Sequence, residues 1–193
     1  MSLNRESFFR ISIYLESMPL DATIIFESES IREDVMNFNV LITFVASLLI
    51  WLMAAGVVYL WLFKKAIPRN QVFRIFLAGI MAWILTDIIK KIIPTPRPFM
   101  IDGLNALTLT IPKDGSFPSM HASTAFAIAV SFRKSDKKVF IIFALIAILI
   151  SLGRVFSHVH YYSDVIAGAG VGILAVIIIE RIDLKKIRKT FKF

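Results

Sequence analysis

The chain has 193 residues, 57% of them apolar, a formal net charge of +8 and no cysteine. A mean hydropathy of +0.74 excludes an ordinary soluble globule and places the chain among membrane proteins. The missing cysteine excludes disulfides, thiolate metal sites and a cysteine nucleophile. The basic excess gathers beside apolar runs, so it reads as membrane topology and not as a nucleic-acid face.

Residues 1–38 have no long apolar core and no small-residue cleavage site, so they do not read as a removable signal. Their apolar residues Phe8, Phe9, Ile11, Ile13, Leu15 and Ile24 to Phe26 are broken up by Arg10, Glu16 and Asp21. That pattern predicts one or two amphipathic helices lying in the interface; the charges weigh against a sixth span. Val40 to Phe63 is an unbroken apolar run, long enough to cross a bilayer alone. Ile75 to Ile93 is a second, with Asp87, Lys90 and Lys91 near its end. Phe117 to Phe132, Val139 to Gly153 and Val165 to Ile179 are shorter, but they also read as spans, with snorkelling Lys and Arg at their ends. The expected fold is therefore an all-α integral membrane bundle. About five transmembrane helices form a domain over 39–193, behind an amphipathic segment over 1–38.

Lys64, Lys65, Arg69 and Arg74 lie between the first two runs. Arg133, Lys134, Lys137 and Lys138 lie between the third and fourth, and Arg181, Lys185, Lys186, Arg188, Lys189 and Lys192 crowd the tail. All three groups fall on one side of a five-span bundle, which the positive-inside rule makes cytoplasmic, the C-terminus included. Loops 94–118 and 154–164 then face outward from a plasma membrane.

Those loops hold the chemistry. Lys90 to Pro98, Pro118 to His121 and Arg154 to Asp164 each sit at the end of an apolar run and together supply Lys90, Arg97, Arg154, two imidazoles and a carboxylate. So much charge beside hydrocarbon is costly and points to function. His160 and Asp164 are spaced i, i+4, which at a helix start puts both on one face. Asp164 can then hold one ring N–H of His160 and leave the other nitrogen as a nucleophile; the bland alternative is an interfacial polar residue capping a helix. Ser119 is a good N-cap, and the first turn after it offers free N–H groups to an anion. His121 there suits a general acid, or is no more than part of a plain helix start. Lys90, Arg97 and Arg154 suit the equatorial oxygens of a phosphoryl group, against snorkelling for Lys90 and a stray loop cation for Arg97. Lys91 reads as a snorkelling cation, Asp87 as a carboxylate with ordinary partners in the i+3 and i+4 lysines, His158 as a bystander, and Asp102 and Asp114 as solvated loop acids. No His-x3-His or HExxH occurs, and three cations repel a divalent ion, so neither metal nor cofactor is expected. The two histidines predict activity that rises and then falls with pH across the imidazole range.

Jointly and in order, these segments resemble the type 2 phosphatidic acid phosphatase (PAP2) superfamily, whose pattern is KxxxxxxRP, PSGH, SRxxxxxHxxxD. Lys90 to Pro98 matches the first part in full. Met120 replaces Gly in the second, and Gly153 replaces Ser in the third. The resemblance implies a metal-independent membrane phosphatase with His160 as nucleophile, Asp164 behind it and His121 as acid. Lys90, Arg97, Ser119, the Met120 amide and Arg154 would hold phosphate. Met in place of Gly narrows the backbone angles open to the anion loop, and Gly153 removes a hydroxyl. Arg97-Pro98-Phe99, Ser116 to Ala122, the short chain and its N-terminal segment are most similar to the bacterial BcrC-like undecaprenyl-diphosphate phosphatases. The implied substrate is then undecaprenyl diphosphate in the outer leaflet, with phosphatidylglycerophosphate and phosphatidic acid as alternatives. A lipid-phosphate binder or transporter is the rival class.

Overall fold

The computed structural model describes residues 35–64 and 67–182, all of its regular elements helical. The chain divides into two compact units, Met1–Val40 and Leu41–Phe193. Of the first, only residues 35–40 are described, so the amphipathic helices expected over 1–38 lie almost wholly outside the described residues, as does the basic tail from 183.

Helices α1 (Val35–Ser47) and α2 (Leu49–Leu62) bend by 50° at Leu48. The first apolar run is thus a broken helix that starts before Val40. Ser47 stands at the break, its hydroxyl accepting the Leu109 amide at 3.2 Å. Helix α3 (Arg69–Ile92) follows, then the short α4 (Pro98–Asp102), α5 (Met120–Val130), α6 (Lys137–Phe156) and α7 (Tyr162–Arg181). Proline opens α4 and Gly103, at φ 69°, closes it in the left-handed conformation that glycine tolerates. Asp136 caps α6, accepting the amides of Lys138 (2.9 Å) and Val139 (3.0 Å).

Among the described residues, α3, α6 and α7 are long and apolar enough to cross a membrane, and the α1–α2 pair makes a fourth if it counts as one span. Their outer faces carry bare apolar side chains, Trp51 at 72% and Ile166 at 71% exposure among them. A surface of that kind suits lipid, not water.

The third expected span is the shortest. Helix α5 has 11 residues, about 16 Å at 1.5 Å per residue, well short of a bilayer core. Its alanines are shielded by protein instead: Ala122, Ala125, Ala127 and Ala129 are wholly buried where α3, α6 and α7 pack around the helix. Small residues bring backbones close. A Cβ on Gly168 of α7 would lie 2.6 Å from Ser119 O, and one on Gly172 would meet Ser123 O and lie 2.9 Å from Ala127 N. Helix α5 is therefore a central peg. At its far end Glu180 ties it to α7 through Arg133 (2.7 Å) and Lys134 (2.9 Å).

Candidate active site

The C-terminal ends of α3 and α6 and the N-terminal ends of α5 and α7 converge, and the motif residues lie where they meet. The loop from α3 to α5 folds back on itself. Ser116 N donates to Thr95 O (2.9 Å), and Phe117 N to Thr95 Oγ1 (2.9 Å). This clip brings residues 114–116 over Lys90 and Arg97. On the other side His158 adopts φ 59°, a left-handed angle that histidine enters more readily than most residues. That turn ends α6 and directs the chain back toward His160, while the His158 carbonyl accepts the Phe99 amide at 3.0 Å.

His160 is buried, with Nδ1 3.3 Å from Asp164 Oδ2 and Nε2 3.3 Å from Arg97 Nη1. Arginine has only donors to offer, so Nε2 accepts and the ring proton sits on Nδ1, facing the carboxylate. Burial is the largest influence on this imidazole. It outweighs the Asp164 hydrogen bond and acts with the charges of Arg154, Arg97 and Lys90 to bring the pKa down to about 4. Asp164 Oδ2 also accepts the Tyr161 amide at 2.9 Å. One oxygen thus closes the first turn of α7 and orients His160.

The cations surround this pair. Lys90, Arg97 and Arg154 are all buried. Arg154 donates from Nη1 to Ala46 O at 3.0 Å, while its Nε is buried without a partner. Ser119 stands at the N-cap of α5 but does not cap it. Its Oγ has no partner, and its amide donates to Asp164 O at 2.9 Å. His121, in the first turn of α5, interacts electrostatically with Arg154, His160, Arg97 and Lys90. Met120 is helical, and the one non-glycine residue with positive φ among the described residues is His158. The backbone freedom of glycine is therefore not needed at position 120. Position 153 does need glycine: a Cβ there would lie 2.7 Å from Val45 Cγ1 and 3.1 Å from Ala46 N. Lys91 pairs with Asp87 at 2.7 Å on the exposed face of α3.

Asp114 adds to its sequence reading. It is solvated on one side, as expected, but it is also paired: its carboxylate bridges Lys90 (3.1 Å) and Arg97 (2.7 Å). Burial works to raise its pKa, but the two cations together outweigh burial and hold it below the ordinary carboxylate value. The carbonyls of Asp114, Gly115 and Val159 also accept from Arg97. No sequence signal separates Asp114 from Asp102; only the Thr95–Ser116 clip does.

Residues 71–188 match the PAP2 superfamily. The chain belongs to that superfamily. The bacitracin transport permease protein BcrC of Bacillus licheniformis is 30% identical to it over 142 residues, 73% of this chain and 70% of that one. The undecaprenyl-diphosphatase of Sulfolobus acidocaldarius is 28% identical over 198 residues, 96% and 94% of the two chains. The crystal structure of Aquifex aeolicus LpxE superposes with a TM-score of 0.60 at 28% identity, over 75% of this chain and 84% of that one. As a PAP2 protein with several apolar helices, the chain is a membrane-embedded lipid phosphatase.

Proposed function

We propose that this PAP2 enzyme removes the terminal phosphate of undecaprenyl diphosphate through a phosphohistidine on His160. The observation that carries the reading is the polarity of His160, with Nδ1–H on Asp164 and the Nε2 lone pair turned toward the cations. Nε2 attacks the terminal phosphorus, and the bond to the bridging oxygen breaks in line. His121 gives its proton to that leaving oxygen. Water then attacks the phosphohistidine, its proton passes to His121, and the Nε2–phosphorus bond opens to release inorganic phosphate. Lys90, Arg97, Arg154, the Ser119 hydroxyl and the Met120 amide hold the transferring oxygens. Every atom in this cycle is supplied by substrate, water and the two histidines, so the mechanism calls for no metal.

The substrate choice is supported by the relative named as an undecaprenyl-diphosphatase, which aligns with nearly the whole chain. Orientation is supported by charge. Arg69, Arg74, Arg133, Lys134, Lys137, Lys138 and Arg181 all lie at the helix ends opposite the site, so the positive-inside rule puts the site outside and the C-terminus in the cytoplasm of a plasma membrane. Domain 39–193 carries the chemistry.

The test is phosphate release from undecaprenyl diphosphate in detergent with excess EDTA, wild type beside His160→Ala, and with phosphatidylglycerophosphate and phosphatidic acid as competing substrates. Release by wild type alone is expected, fastest on the diphosphate. A preference for either glycerolipid moves the substrate assignment to it. Release that survives His160→Ala removes His160 as nucleophile, and no release from any lipid moves the reading to a binder or transporter.

A further inference from the structure

Arg97 has five N–H donors, and the protein uses all of them. Nε donates to Asp114 O (2.8 Å), Nη1 to Val159 O (2.8 Å) and His160 Nε2 (3.3 Å), and Nη2 to Asp114 Oδ1 (2.7 Å) and Gly115 O (3.0 Å). Lys90 Nζ is engaged by Gly115 O and, at 3.1 Å, by Asp114 Oδ2. A phosphoryl group must therefore displace an acceptor from Arg97 before it can bind it, and at Lys90 two of the three ammonium donors are already taken. The three carbonyls are fixed in the main chain. The Asp114 carboxylate is not: its side chain is 51% exposed, whereas those of Lys90 and Arg97 are 4% and 3% exposed. It has water beside it to turn into. Its two oxygens bridge the lysine and the arginine in the way that two oxygens of a phosphoryl group do.

We propose that Asp114 is an exchangeable counter-ion of the phosphate site, competing with substrate and with inorganic phosphate for Lys90 and Arg97. The inference rests on the phosphatase reading and deepens it. Three buried cations around one phosphate would hold the product as firmly as the substrate. A carboxylate tethered beside them takes the cations back when phosphate leaves, so it weakens phosphate binding and speeds product release. Asp114 is thus a specificity-determining residue that sets phosphate affinity and takes no part in bond making. The competing arrangement is a purely structural Asp114, which positions Lys90 and Arg97 for phosphate throughout the cycle. The two differ in sign. Removing a competitor tightens phosphate binding; removing a scaffold weakens it.

The experiment measures the inhibition constant of inorganic phosphate, KM and kcat for wild type, Asp114→Asn and Asp114→Ala in detergent. Phosphate binding is followed separately by thermal protection. The Asn variant keeps the shape of the side chain, and the Ala variant removes every side-chain contact. A close charge pair of this kind is worth about tenfold or more in affinity. The inhibition constant and KM should therefore fall about tenfold in both variants, with kcat unchanged or lowered by slow product release. Inhibition constants that stay level or rise, with KM rising alongside, overturn the counter-ion role and leave the phosphatase reading intact. A wild type that hydrolyses no lipid, but is protected by phosphate more weakly than Asp114→Asn, keeps the counter-ion and overturns the phosphatase. A wild type that neither hydrolyses nor is protected overturns both.

Discussion

Restoring the family residue at position 153 should harm this protein. The PAP2 pattern places Ser before the arginine, and Gly153→Ser rebuilds it. The backbone of α1 leaves no room, however. The new Cβ would lie 2.7 Å from Val45 Cγ1, 3.1 Å from Ala46 N and 3.3 Å from Val45 C. Two of the three atoms are main chain and cannot rotate away, so α1 must shift or α6 must. Overpacking of this kind costs about 1–3 kcal/mol, and for a chain of this length each kcal/mol lowers Tm by about 2–4 °C. The shift also loosens the Arg154 Nη1 bond to Ala46 O, 3.0 Å long and one residue away, so KM for the lipid should rise along with the loss of stability. The assay is thermal unfolding in detergent together with steady-state kinetics, with Val45→Ala added as a second substitution. That change deletes the 2.7 Å contact but neither backbone contact, so it should recover part of the lost Tm and not all of it. A Gly153→Ser variant as stable as wild type, or more active, would show that the α1–α6 approach is looser than these contacts require.

Ser119→Ala should leave Tm unchanged or slightly raised, because Ser119 Oγ is buried without a partner in the protein; a large fall in Tm counts against this, and a rise in KM is the accompanying sign that the hydroxyl serves phosphate. Gly172→Ala should lower Tm, by about 1–3 kcal/mol of overpacking, since its Cβ meets Ser123 O and Ala127 N; Gly170→Ala, with nothing within 4 Å, is the silent control. The limb of kcat/KM that reports His160 should lie near pH 4 and not at an ordinary imidazole value, because burial keeps that ring neutral down to about 4; a His160-dependent limb between pH 6 and 7 refutes this. Stability follows the same proton. Between pH 6.5 and about 4 the unfolded chain binds it and the native chain does not, so stability falls as pH drops through that window, by about 3 kcal/mol in all, readable by denaturation at graded pH.

The sequence already carried the ends of the helices and the residues gathered there. Charge next to an apolar run is conspicuous by its cost, so Lys90, Arg97, Arg154, His160 and Asp164 stood out without any coordinates. The i, i+4 spacing at a helix start anticipated His160–Asp164. Three features depend on what packs where, and local pattern is silent about that. Hydropathy cannot tell an apolar helix wrapped in protein from one wrapped in lipid, so the burial of α5 inside the bundle does not show. Asp114 reaches partners 24 and 17 residues earlier only because Thr95 and Ser116 clip the loop shut. Gly153 reads as a lost hydroxyl until the Val45–Ala46 backbone is seen against it.

The position of Asp164 explains why so short a central helix suffices. Its Oδ2 closes the first turn of α7 through Tyr161 N and orients His160, while its carbonyl accepts the amide of Ser119, the residue before α5. The orientation of His160 and the start of α5 are thus set by one residue. The close crossing at Gly168 and Gly172 then fixes α5 against α7 along its length. Phosphoryl transfer asks a protein chiefly for positioning and for charge placed in advance. A long lipid-exposed span in place of α5 would add hydrophobic anchorage that α3, α6 and α7 already supply. What α5 contributes is a helix start held by two glycines and the Asp164 carbonyl of α7, and about three turns are enough for that.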